Sequence, residues 1–129
     1  MLLALAGGHA IADYGLQSAY VAEHKVRSAT NPNWFLVLAA HSLIHAFMVL
    51  TVTGAGTFAA LAMSGQAPGR AAIVACGIGT ACGWLEFACH FAIDDAKGQK
   101  RFSYRVDQGL HYGCKLIWLA LCAVAILSA

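Results

Sequence analysis

Within the apolar stretch GWLEFACHFAIDDAK, from Gly83 to Lys97, Glu86, His90 and Asp94 recur every four residues. On a helix that spacing turns a carboxylate, an imidazole and a second carboxylate toward one side. Such groups are costly in an apolar setting and have to face partners rather than lipid or core. Three other stretches carry a similar stripe: His9, Asp13 and Gln17; His41 and His45; and Asp107, His111 and Lys115.

If ionised, Asp13, Glu86, Asp94 and Asp107 supply four negative charges, against at most two positive ones from Lys115 and Lys97. One or two bound divalent metal ions would cover that deficit and use the histidines. Imidazole and carboxylate ligands together suit zinc, manganese or iron better than calcium. The five cysteines (Cys76, Cys82, Cys89, Cys114, Cys122) form no CxxC pair, so they read as small packing residues rather than as a zinc ribbon or a disulfide framework.

The elements that must position these groups are apolar. The chain has 129 residues, of which 60% are hydrophobic and 11% charged, with a mean hydropathy of +0.66. This composition is that of an integral membrane protein, and a net charge of +2 argues against a nucleic-acid partner. The expected fold is all-α, a single transmembrane domain over residues 1–129, built as a four-helix bundle with helices at about 2–22, 34–63, 71–95 and 103–128. MLLALAGGHAIA lacks a positive leader region and reads as a retained first helix, and Asn33 is a candidate N-cap for the second.

Lysine and arginine distribution orients the bundle. Lys25 and Arg27 follow the first segment, Arg70 alone follows the second, and Lys97, Lys100, Arg101 and Arg105 follow the third. By the positive-inside rule the first and third loops are cytoplasmic and both termini lie outside. Counted from the cytoplasmic helix ends, Asp13, His41, Glu86 and His111 then sit about 12 to 14 Å deep. Their His/Asp/Glu stripes therefore converge in the cytoplasmic half of the membrane. Gly79/Gly83 and Gly109/Gly113 have GxxxG spacing, which predicts close helix packing or a homodimer contact. Trp34, Trp84, Trp118, Tyr104 and Tyr112 read as interfacial anchors and packing residues.

HAIADYGLQ followed by Lys25, then AHSLIHA, EFACHFAIDDAKG and DQGLHYGCKLIW, in that order and spacing, resemble the domain-of-unknown-function 3307 family. That resemblance covers nearly the whole chain and implies a small multi-pass protein of a bacterial inner membrane, of host or phage origin. It implies no activity.

The expected function is that of a metal-dependent hydrolase acting on a membrane lipid or other membrane-associated substrate, through a metal-bound water made nucleophilic near neutral pH. Candidate metal ligands are His9, Asp13, His41, His45, His90, Asp94, Asp107 and His111, some of them orienting the others. Glu86 is the candidate bridging ligand or general base and Lys115 the candidate oxyanion or phosphate stabiliser. The same stripes also suit a divalent-cation or proton transporter, or an interaction protein whose buried network includes a Lys115–Glu86 ion pair. Haem between paired histidines fits less well, because four carboxylates would crowd an apolar macrocycle.

Overall fold

Three helices in the computed structural model, which describes residues 1–129, are long and apolar enough to cross a membrane: α3 (Trp34–Met63), α4 (Pro68–Gly98) and α5 (Tyr104–Leu127). The 30 residues of α3 extend about 45 Å, beyond the ~30 Å of a bilayer's hydrocarbon core. No strand is present; all other regular structure is helical. α4 runs about a turn past the expected 71–95 at each end, starting on Pro68 at its first position, where a missing N–H costs nothing.

The first segment departs from the expected single helix over 2–22. Helix α1 (Leu2–Ala10) widens into a π-helical stretch, Ile11–Leu16, and the chain leaves the helix axis at the extended Gln17. Ser18 then caps a short helix α2 (Ala19–His24), its Oγ accepting the Val21 N–H at 3.3 Å. Gly15 and the polar Asp13 and Gln17 weaken regular helix here, and Asp13 lies on the widened turn. Asn33 occupies the N-cap position of α3, but its side chain makes no capping bond.

The two connections between the long helices close in the same way. After α3, Gly65 (φ 84°) and Gln66 donate to Ala62 and Leu61, and after α4, Lys100 (φ 60°) and Arg101 donate to Lys97 and Ala96. These are Schellman closures, which favour a left-handed residue and usually glycine. The second one uses lysine.

Polarity is distributed inside out. Large side chains such as Phe35, Leu36, Phe47, Ile73, Trp84, Leu116 and Ile117 are exposed, whereas His41, His45, Glu86, His90, Asp107, His111 and Lys115 are buried. An apolar exterior around a polar interior suits a lipid surround. The apolar core takes Leu5 from α1, Val49 from α3, Cys82 from α4 and Trp118 and Cys122 from α5, and no cysteine is in a disulfide.

Helices α3 and α4 touch backbone to backbone. A Cβ on Gly79 would lie 3.0 Å from the Leu50 carbonyl and 3.1 Å from Gly54 Cα, and one on Gly83 would lie 3.2 Å from the Ala46 carbonyl. The Gly79/Gly83 pair thus serves packing within the chain, while Gly109 and Gly113 face open space. Substituting Gly79→Ala is expected to cost about 1–3 kcal/mol. Gly77→Ala, where nothing lies within 4 Å, should be neutral or stabilising by up to about 1 kcal/mol. Denaturant titration in detergent, followed by helical circular dichroism, compares the two.

Candidate metal centre

The deepest polar layer is a buried ion pair. Lys115 Nζ on α5 donates to Glu86 Oε1 on α4 at 2.5 Å, and Trp118 Nε1 donates to Glu86 Oε2 at 2.6 Å. Both charged side chains are 1% exposed. Glu86 also approaches His90 Nδ1 at 3.5 Å, one helical turn along. The two residues expected to act as base and oxyanion stabiliser therefore hold each other, with one edge of the pair turned to an imidazole.

Above this pair five imidazoles from four segments meet. His45 of α3 stacks on His90 of α4 with ring centroids 3.7 Å apart, His111 of α5 lies 4.3 Å from His90, and His9 of α1 lies 4.9 Å from both His45 and His111. His41 completes the group, 4.8 Å from His45 and 5.1 Å from His90. The close approach of α3 to α4 at Gly79 and Gly83 is what lets the rings reach across.

Two carboxylates organise the ring nitrogens. Asp13 Oδ1 lies 3.0 Å from His45 Nε2 and 3.5 Å from His41 Nε2, while its Oδ2 lies 3.3 Å from His9 Nε2. Asp94 Oδ2 lies 3.6 Å from both His41 Nε2 and His90 Nε2, and its Oδ1 lies 3.2 Å from His111 Nε2. Most of these contacts lack hydrogen-bond alignment: His9 Nε2, His41 Nε2, His45 Nε2 and both His90 nitrogens are buried without a partner. A tetrahedral ion with ligands at about 2.0–2.1 Å sets them about 3.4 Å apart, close to the separations around Asp13 and Asp94.

Three donor sets have ligand atoms within 4.8 Å of one another: Asp13, His41, His45 and His90; His90, Asp94 and His111; and His9, His45, Glu86 and His90. Asp107, the remaining expected ligand, stands at the edge, 3.6 Å from His111 Nε2 and bound through Oδ2 to Lys97 (3.4 Å) and Gln108 (3.1 Å). Its Oδ1 is buried without a partner.

The centre opens to one side. A cavity of about 510 Å³ is floored by Asp13, Asp94 and Asp107 and walled by Gln17, Lys25, Lys97, Lys100, Tyr14 and Tyr104. The hydroxyls of Tyr14 and Tyr104 hydrogen-bond to each other. Lys25 Nζ reaches Asp94 Oδ2 at 2.6 Å, and next to it Arg27 makes a two-pronged contact with Asp95. From the sequence, Lys25 enters as a topology signal and as part of the family motifs, and only the fold brings its ammonium to Asp94. Trp118 was readable, because it follows Lys115 by three residues and so shares its helix face.

A family model described as "Protein of unknown function (DUF3307)" matches residues 1–128. The chain belongs to that family, as its motifs led us to expect. No curated protein and no solved structure matches it.

The buried pair yields a stability test. Lys115→Met leaves Glu86 charged and without its cation, and should destabilise the protein by about 3–5 kcal/mol. Adding Glu86→Gln, which can still accept from Trp118, should recover much of that loss. A double-mutant cycle in detergent reads the coupling.

Proposed function

We propose that this member of the DUF3307 family is a membrane-embedded, metal-dependent hydrolase. In this reading α1 with its π-helical extension joins α3, α4 and α5 as a four-helix bundle, whose polar stripes meet in the cytoplasmic half of a bacterial inner membrane. The supporting observation is the set of unpartnered imidazole nitrogens gathered around Asp13 and Asp94. Buried polar atoms of this number are normally satisfied, and one or two divalent ions of zinc, manganese or iron would satisfy them.

Asp13 with His41 and His45 would hold one ion, and Asp94 with His111 a second, with His90 placed to serve either and His9 beside Asp13 Oδ2. A bound ion supplies Lewis acidity and a water acidic enough to attack near neutral pH. Glu86 positions His90 through Nδ1, and Lys115 and Trp118 fix Glu86 in turn. Asp107, with Oδ1 unpartnered at the cavity floor, is the group set to take a proton from attacking water.

The cavity opens beside Lys25, Lys97 and Lys100, the lysines that the positive-inside rule assigns to the cytoplasmic surface. A membrane lipid headgroup or other membrane-associated substrate could enter at that level. On the opposite side the centre is backed by the apolar core of Leu5, Val49, Cys82, Trp118 and Cys122. A site closed at one end favours hydrolysis over transport. Homodimerisation, if it occurs, falls to the open Gly109/Gly113 face.

Elemental analysis of detergent-purified protein tests this reading. Wild type should carry one or two zinc, manganese or iron ions per chain, and His90→Ala and His111→Ala should lose them while keeping their helical content. Wild type that stays free of metal after reloading with each ion would refute it.

A further inference from the structure

We infer that the cavity above the centre binds a phosphate group, so that the substrates are phosphoesters; this rests on the metal-dependent reading above. Three lysines line the cavity from different parts of the chain: Lys25 after α2 and Lys97 in the last turn of α4, whose ammonium groups meet Asp94 and Asp107, and Lys100 in the α4–α5 connection. They face the three carboxylates of the floor, Asp13, Asp94 and Asp107, and as it stands the charges balance. Divalent ions held by Asp13 and by Asp94 would take over their charge and weaken the claim of Asp94 on Lys25. The lysines then make a surplus of positive charge that calls for a multiply charged anion.

Ammonium groups are point donors on flexible stems, suited to a tetrahedral anion approached from several sides, whereas a planar carboxylate is better matched by the arginine fork. The nearby Arg27 is occupied with Asp95 and stacks over Trp34, its guanidinium carbon 4.4 Å from the ring centroid.

Lys100 supplies an independent observation. It occupies the left-handed position of a Schellman closure at φ 60°, where the matching closure after α3 has Gly65. A side chain there carries a steric cost that glycine would avoid. Its ammonium makes no hydrogen bond or ion pair within the chain that would offset this, yet Lys100 lines the cavity. A lysine kept at a conformational cost beside two others is accounted for by a ligand that all three share.

In hydrolysis a water oxygen forms a new bond to phosphorus, the phosphorus–oxygen bond to the alcohol breaks, and the alcohol leaves with a proton. The lysines bind the non-bridging oxygens throughout and neither gain nor lose a proton.

The experiment is calorimetric titration of inorganic phosphate into zinc- or manganese-loaded protein in detergent, with metal content measured on the same samples. Wild type should bind phosphate, and Lys25→Met and Lys97→Met should each bind about tenfold more weakly. Lys100→Gly should also lose affinity while its unfolding midpoint rises, a combination that a structural role for Lys100 does not produce. Competition by phosphatidic acid in nanodiscs would identify a lipid headgroup as the source of the phosphate, and competition by phenyl phosphate alone would identify a soluble ester. Metal-loaded wild type that ignores phosphate, or lysine variants that bind it as wild type does, would overturn the inference while leaving the metal centre intact. Protein that takes up no metal would instead fail the reading on which it rests.

Discussion

An ionised carboxylate inside a bundle of apolar helices has to be met by positive charge or by several donors, because water is not there to solvate it. Glu86 shows the requirement fulfilled. Both of its oxygens are engaged, by Lys115 and by Trp118, and the pair lies against the apolar core. Asp13 and Asp94 show it only in part. Their neighbours are mostly imidazoles, and the lysine that meets Asp94, Lys25, comes from outside the long helices. The same residue type is saturated at one depth and open at the next, and that contrast separates the scaffold from the site.

Packing and chemistry are joined through the glycines of α4. Gly83 and Gly79 bring α3 within backbone contact about two and three turns before His90 along α4. His45 can therefore stack on His90, and His41 can reach Asp94 from another helix. Wider spacing would leave each stripe solvating itself with its own i, i+4 neighbour, as in the His9–Asp13 and His90–Asp94 contacts. In this structure one small-residue face does the work that GxxxG performs between separate membrane helices.

The helical periodicity made α3, α4 and α5 legible in the sequence, because each is a long apolar run bounded by a proline or a charge cluster. The ligand candidates were legible for the same reason: four-residue spacing on an apolar helix leaves a polar stripe no other explanation than a partner. Three features were not. The break at Gln17 depends on a π-helical turn, which has no distinctive residue pattern. The Lys115–Glu86 ion pair was readable only as one alternative among several, because which carboxylate the lysine meets is a matter of depth resolved when α4 and α5 are packed. Lys25 belongs to a loop, and the distance from a loop residue to Asp94 is a property of the tertiary fold alone.

Along α4, Glu86, His90 and Asp94 are successive members of one stripe, yet each lies in a different environment. Glu86 is enclosed with a fixed cation, His90 is shared between the closed and the open layer, and Asp94 is reached by a lysine on the cavity side. A stripe graded this way gives the imidazole a carboxylate held by two fixed donors on its Nδ1 side and a carboxylate met by a lysine from outside the long helices on its Nε2 side. The two ends of the stripe are therefore held in different ways: Glu86 by partners packed against the apolar core, Asp94 by a partner that comes from the cavity side.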